Sequence, residues 1–323
     1  MTVGVRLAGT LDPGVAPDGA GGPVRCALVN NMPDAAFGAT ERQFVSLLDA
    51  GSGCETVEFS RHTMAGVPRG ERIRALIATE YRPLDDILSD PPDLLVVTGS
   101  NPIESRIEDE PYWSDLCGLL RWGSENVPAM VLSCLSAHAA LAVFDGLERT
   151  TLPAKCTGVF AQEADLTHPL AAGFDGPVVL PHSRHNTVPV EAVVAAGYAV
   201  ALQSEEVGWS VITRTVGESE VVLVQSHPEY DPTSLVREYA RDVRRYACHE
   251  RDELPCLPRD CVAGPDWDGL RRLHERVVGG ERDPELVAAF PFDEVGARAP
   301  WPWRGAALRL YANLLDTIPE RSA

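Results

Sequence analysis

Cys134 stands where an apolar run gives way to a helical pattern. Met130-Val131-Leu132-Ser133 reads as the end of a buried strand, and Leu135-Ser136-Ala137-His138-Ala139-Ala140-Leu141 as the first turns of a helix. A thiol at that turn meets the positive end of the helix dipole, which favours the thiolate. The backbone N–H of Leu135 has no partner inside the helix and can face a developing oxyanion. This is the layout of a nucleophile elbow. A buried structural cysteine at the end of a core strand carries the same local sequence, so the assignment needs a base.

A second strand end supplies one. Val221-Val222-Leu223-Val224-Gln225 is an apolar run that leads into Ser226-His227-Pro228-Glu229. Ligands of an open α/β sheet bind beyond the carboxyl ends of its strands. His227 reaches Cys134 if the two strands are neighbours. Glu229 can then turn to the same side and fix the imidazole tautomer, completing a triad. The competing reading is that His227 and Glu229 only cap the next helix.

These residues need a sheet to hold them. Val24–Asn30, Leu94–Thr98, Ala129–Ser133, Ala199–Gln203, Trp209–Thr213 and Val221–Gln225 read as strands. Continuous apolar runs such as Leu94-Leu95-Val96-Val97 suit a sheet buried on both faces. Helical patterns over Glu41–Leu48, Trp113–Gly123, Leu135–Phe144 and Thr233–Tyr246 alternate with them. The last is expected to start with Asp231 as N-cap and Pro232 at the first helical position. This alternation implies an α/β fold with a mainly parallel sheet flanked by helices. Residues 1–22 read as a Gly-, Pro- and Ala-rich tail or a short leading strand, and 23–323 as one domain with a helical extension from about 250. Within the extension, Asp266–Val278 and Trp303–Leu315 read as helices and Glu281–Pro302 as loop-rich.

The chain has 323 residues, with 45% hydrophobic and 23% charged, close to globular averages. Its 28 Lys+Arg against 47 Asp+Glu give a formal charge of −19. That sign argues against sequence-independent nucleic-acid binding and against a polybasic membrane-surface protein. No apolar run approaches the ~20 residues of a transmembrane helix, and residues 1–22 lack a signal-peptide layout. A cytoplasmic protein is expected, with its eight cysteines kept as thiols. Cys248, His249, Cys256 and Cys261 lack the paired spacing of a zinc site, so no metal is expected.

With these residues in place, the chain resembles the homoserine O-acyltransferases, a family of succinyl- and acetyltransferases with a class I glutamine-amidotransferase-like (flavodoxin-like) fold. The resemblance runs from about Val24 to about Leu315. It is carried by Val29-Asn30-Asn31-Met32-Pro33, Thr40-Glu41-Arg42-Gln43-Phe44, Val97-Thr98-Gly99-Ser100 and Tyr112-Trp113. Further matches are Cys134, Lys155-Cys156-Thr157-Gly158-Val159-Phe160, Pro181-His182-Ser183-Arg184-His185, His227-Pro228-Glu229-Tyr230-Asp231 and Trp303-Arg304.

The resemblance implies a ping-pong reaction. Cys134 takes the acyl group from acetyl-CoA or succinyl-CoA, and His227, oriented by Glu229, deprotonates the hydroxyl of homoserine or a related hydroxy-amino acid. Lys155, Ser183 and Arg241 match substrate-site residues, with Arg241 for the carboxylate. The backbone of Leu135, Gly99 and Ser100 would form the oxyanion hole. No bound cofactor is implied; a homodimer is. In the family a Glu shortly after the Thr-Gly motif goes with acetyl-CoA and a Gly with succinyl-CoA. Glu104 leans towards acetyl. Asp34 departs from a common Lys, and Leu135 and His138 from a Trp and a Gln. Asp34 is either a change in acceptor preference or a surface swap; His138 either tunes the thiolate or is a packed residue. A glutamine amidotransferase, which also uses Cys, His and Glu, or a non-catalytic homologue are the rival readings.

Overall fold

The computed structural model describes residues 6–7, 22–52, 56–102, 104 and 106–318. The strands are β1 (Arg6–Leu7), β2 (Val24–Val29), β3 (Val57–His62), β4 (Leu94–Val97), β5 (Ala129–Ser133), β6 (Thr150–Ala164), β7 (Val178–Thr187), β8 (Ala199–Ser204), β9 (Gly208–Val216) and β10 (Ser219–Val224). The helices are α1 (Phe37–Gly51), α2 (Glu71–Glu80), α3 (Asp85–Ser89), α4 (Trp113–Asn126), α5 (Leu135–Asp145), α6 (Val190–Ala195), α7 (Ser234–Ala247), α8 (Gly264–Val278), α9 (Pro284–Ala288), α10 (Phe292–Ala297) and α11 (Arg304–Asp316). Apart from Arg6–Leu7 and Gly22, the expected N-terminal tail lies outside the described residues.

The sheet order is β1-β3-β2-β4-β5-β10-β9-β8-β6-β7. Pairing is parallel from β1 through β10 and antiparallel from β10 to β7. The apolar runs are the parallel centre of this sheet. Because side chains alternate across a strand, Leu94 and Val96 enter one core with Leu28, Val131 and the α7 and α11 side chains. Leu95 and Val97 enter the other, with Met130, Leu132 and residues of α4 and α5. Both faces are covered, which is why these strands carry no polar alternation.

Three expectations need correction. The antiparallel half contains β6 and β7, which the apolar-run reading passes over; both mix exposed with buried positions. Their register breaks between Thr151 and Cys156, a stretch that contains Pro153, which has no N–H to give the ladder. α7 begins at Ser234, after Thr233, so Asp231 is not its N-cap. Asp231 instead accepts from the Thr233 N–H at 2.9 Å and from the Thr233 and Ser234 hydroxyls, forming an Asx turn one step upstream. The loop-rich 281–302 stretch holds α9 and α10.

The C-terminal extension packs back on the sheet domain. The buried face of α11 (Ala307, Leu310, Tyr311, Leu314, Leu315) joins the α1 side of the core. A Cβ on Gly51 would lie 3.3 Å from the Ala312 backbone nitrogen, so α1 and α11 meet where there is no side chain. Gly158, at φ +138°, does the same for the stretch after α7: a Cβ there would lie 2.5 Å from the Arg259 backbone. The Val159 N–H donates to Arg259 O at 2.9 Å and the Arg259 N–H to Thr157 O at 3.1 Å.

Candidate active site

β5 and β10 are adjacent and parallel, with Ser133 opposite Val224. Their carboxyl ends therefore deliver Cys134 and the Gln225–Glu229 turn to the same edge of the sheet. Cys134 is held at φ +51°, ψ −107°, outside the regions an L-residue ordinarily occupies. Its N–H donates to Val224 O at 2.7 Å, while its carbonyl accepts from Ala137 and His138 at 3.1 and 3.2 Å. The residue is thus bonded to the neighbouring strand on one side and to α5 on the other, which sustains the strain.

His227 Nδ1 meets Glu229 Oε1 at 2.7 Å, and both side chains are buried. The His227 Nε2 atom has no hydrogen-bond partner among the described residues. Burial by itself would lower the proton affinity of the imidazole; the Glu229 carboxylate and the neighbouring Cys134 outweigh it and push the pKa well above the usual value. The Tyr230 ring stacks on His227 with centroids 4.3 Å apart and planes 22° from parallel. The site therefore favours an imidazolium next to the thiol, pinned at Nδ1 and open at Nε2.

Gly99 closes the other side. A Cβ on it would lie 3.3 Å from Cys134 Cβ and 3.4 Å from the Leu135 nitrogen. Ser136 donates its hydroxyl to Thr98 O at 2.6 Å, tying the start of α5 to this loop. The Leu135 N–H lies in the first turn of α5, where no carbonyl of the helix reaches it. Cys134, Leu135 and Gly99 are brought together as the sequence suggests; Ser100 follows directly, beside the buried Tyr112 hydroxyl.

Lys155, Ser183 and Arg241 also converge, through two carboxylates that the sequence reading missed. The Lys155 ammonium lies 2.9 Å from Asp242 and 3.3 Å from Glu238. Ser183 donates to Glu238 Oε2, and Tyr230 donates to Glu238 Oε1 at 2.5 Å. Arg241 places Nε and Nη2 on Asp242 Oδ1, both at 2.9 Å. Burial would raise the pKa values of Glu238 and Asp242, but Lys155 and Arg241 hold both below the carboxylate norm. Burial likewise opposes the charge on Lys155, and the two carboxylates more than restore it. The available signal was spacing: 238, 241 and 242 share one face of α7.

The remaining candidates separate. His138 is a packed residue: its Nε2 contacts Gln225 Oε1 at 2.9 Å, and burial drives its pKa down to about 4. It stays neutral. Asp34 accepts from the Gly70 N–H at 2.7 Å and pairs with Arg69 at 3.6 Å, so its first duty is local. Glu104 is exposed, and its N–H donates to Glu110 Oε1 at 2.9 Å. Arg149, unnoticed in the sequence, lies within electrostatic reach of Cys134, Tyr112, Glu108 and Glu110 and makes no ion pair or hydrogen bond among the described residues. Cys248 is exposed and Cys261 buried, and among the described residues no group of three or more His, Cys, Asp or Glu comes together to hold a metal. No helix among those residues is long and apolar enough to cross a membrane.

Comparison with known proteins adds a family. A family model described as homoserine O-succinyltransferase matches residues 10–321. A homoserine O-succinyltransferase of Methylorubrum extorquens is 39% identical over 302 residues, covering 93% of this chain and 88% of that protein. One from Rhodopseudomonas palustris is 38% identical over 268 residues, covering 83% and 80%. Among solved structures, a glutamine amidotransferase from Methylobacillus flagellatus superposes with a TM-score of 0.51 at 16% identity, covering 93% of this chain and 97% of that one. This last likeness identifies the class I glutamine-amidotransferase-like fold.

Proposed function

From the premise that this chain belongs to the homoserine O-succinyltransferase family, we propose that it is an acyl-CoA-dependent O-acyltransferase acting on the side-chain hydroxyl of L-homoserine through a cysteine acyl-enzyme. One observation carries the mechanism. Cys134 is bonded through its N–H to β10, and β10 runs directly into His227, whose Nδ1 is fixed by Glu229 and whose Nε2 is open.

In the first half-reaction the Cys134 thiolate attacks the thioester carbonyl, and its oxygen takes the developing negative charge towards the Leu135 N–H and the Gly99 backbone. Collapse breaks the bond to the CoA sulfur, which leaves with the proton of the His227 imidazolium. In the second, neutral His227 takes the proton of the homoserine hydroxyl as that oxygen attacks the acyl-cysteine. Collapse returns the thiolate and releases the ester. Arg241 spends Nε and Nη2 on Asp242 and keeps Nη1 for the amino-acid carboxylate. The Lys155–Glu238–Ser183 contacts hold the wall of that pocket in place.

The names of the relatives favour succinyl-CoA as the donor, against the acetyl expectation drawn from Glu104. Arg149 supports the same choice: a half-buried guanidinium near Cys134 without an ion pair among the described residues offers a partner to the terminal carboxylate of a succinyl group. Glu104 keeps acetyl-CoA as the second reading. The test is intact mass of the protein mixed with each donor in the absence of homoserine. A succinyl adduct on Cys134, discharged by homoserine and weakened in Arg149→Gln, supports the proposal. An acetyl adduct alone reverses the donor, and no adduct with either rejects the acyl-enzyme.

A further inference from the structure

Resting on the acyltransferase reading, we propose that Trp301 and Trp303 are positioning residues for His227, acting through the backbone carbonyl of Tyr230. Both indole N–H groups donate to that one oxygen, Trp301 at 3.1 Å and Trp303 at 2.9 Å. A carbonyl oxygen has two lone pairs, and here two rigid donors occupy them.

Tyr230 is tied down at every polar point. Its N–H donates to His227 O at 3.1 Å, its hydroxyl to Glu238 Oε1 at 2.5 Å, and its carbonyl accepts from the two tryptophans. What these ties fix is the ring, and the ring lies on the imidazole at 4.3 Å. Glu229 sets the direction of Nδ1, while the Tyr230 ring sets the plane of the imidazole. Together they leave Nε2 one orientation. The groups facing His227 are Glu229 on its own turn, Cys134 from the end of β5, His182 from β7 and the Tyr230 phenol. Burial, with Glu238 second, keeps the phenol protonated far above neutral pH, so the stack does not itself titrate.

The donors come from the segment between α10 and α11. In Pro300-Trp301-Pro302-Trp303 two prolines restrict the backbone around both indoles. Trp303 is 1% exposed and directly precedes α11; Trp301 is 37% exposed, with the Arg304 guanidinium 4.7 Å from its ring centroid. The C-terminal extension thus reaches the turn that carries His227.

The test uses the full chain with Trp301→Phe, Trp303→Phe and the double variant, which keep an aromatic ring and delete the donor. The imidazole of His227 is titrated by NMR with 15N-labelled histidine, and single-turnover acylation, kcat, KM and acyl-cysteine stoichiometry are measured alongside. In the double variant the His227 pKa is expected to fall towards its ordinary value as the contact with Glu229 loosens. Its kcat per acylatable site should drop ~10-fold, with both KM values within about twofold, since misplacement of a reacting group acts on the chemical step. Each single variant should show part of the effect. Tyr230→Leu should match the double variant; Tyr230→Phe, which keeps the stack, should sit between it and wild type.

An unchanged histidine titration together with unchanged kcat per site overturns the proposal; a fall in stoichiometry or melting temperature alone assigns the tryptophans a merely structural role. Should the double variant fail to fold, Trp301→Phe at the half-exposed position decides the matter by the same readouts. Wild-type protein that takes no acyl group rejects the acyltransferase reading instead, and the NMR titration still judges the clamp.

Discussion

The Cys134 N–H and the Val224 carbonyl are 2.7 Å apart, so the candidate nucleophile is bonded to the strand that delivers its base. Relative placement of the two reacting groups is then set by one rung between neighbouring strands rather than by loop packing. Most of the chemistry expected of the site follows from that rung.

As the proposed nucleophile, Cys134 carries a strained backbone that burdens the fold. Cys134→Ala should leave no acyl adduct by intact mass and should lower kcat by at least ~10³-fold, as loss of a nucleophile does. Cys134→Gly should be equally inactive yet melt higher, because glycine relieves the positive-φ conformation, a gain of about 1 kcal/mol. Thermal unfolding of the two variants side by side measures it; a glycine variant no more stable than the alanine one contradicts the strain.

Glu229→Gln removes the largest interaction holding the His227 pKa up. Burial then dominates and lowers it. The acid limb of kcat/KM for homoserine, which reports loss of the neutral base in the acyl-enzyme, should move to lower pH, while kcat at the optimum drops by ~10²–10⁴-fold. A limb that stays in place would sink the assignment of that limb to His227.

Gly99→Ala should put a methyl group in the proposed oxyanion hole. Its carbon would lie 3.3 Å from Cys134 Cβ and 3.4 Å from the Leu135 nitrogen. The expected loss is ~10²-fold in kcat with near-normal stability, since a displaced oxyanion donor acts on the transition state. Single-turnover acylation checks it; a change confined to KM would place the developing charge elsewhere.

The Lys155 cluster gives stability a pH dependence. Glu238 and Asp242 have folded pKa values below the usual ones. The stability they add is present above the unfolded carboxylate range and is lost as pH falls through their depressed values. The Lys155 pKa is raised, so its share is present below the unfolded lysine value and is lost as pH rises through the raised one. Lys155→Met takes the ammonium from two largely buried carboxylates, leaving Arg241 on Asp242 and no cation in hydrogen-bond contact with Glu238. It should cost about 3 kcal/mol at neutral pH and move acid unfolding to higher pH. Far-UV circular dichroism against pH reads both effects, and an acid midpoint unchanged from wild type contradicts them.

The Cys134–His227 half of the candidate site was legible because buried parallel strands write themselves as apolar runs. Leu94–Val97, Met130–Ser133 and Val221–Val224 show where the sheet ends, and a Cys or His just past such an end is conspicuous. The Lys155–Ser183 half was less so. Lys155 sits on β6 and Ser183 on β7, strands with mixed exposure and a register break. Their carboxylate partners lie on α7, 83 residues from Lys155 in the case of Glu238 and 87 in that of Asp242. No local pattern encodes such a pairing. Arg149 escaped notice for a related reason: it follows the glycine that ends α5, and only the tertiary fold turns it towards Cys134.

Gly158 and the Tyr230 carbonyl have a joint consequence for how the chain survives a break. Arg259 is laced into β6 at the glycine, and the tryptophans before α11 are hung on the catalytic turn. Between α7 and Arg259 runs an open stretch in which Asp252, Glu253 and Leu254 are exposed. A protease that nicks it should leave the protein assembled. The two fragments stay docked at both points and along the α1–α11 contact, and should travel together through gel filtration until denaturant separates them.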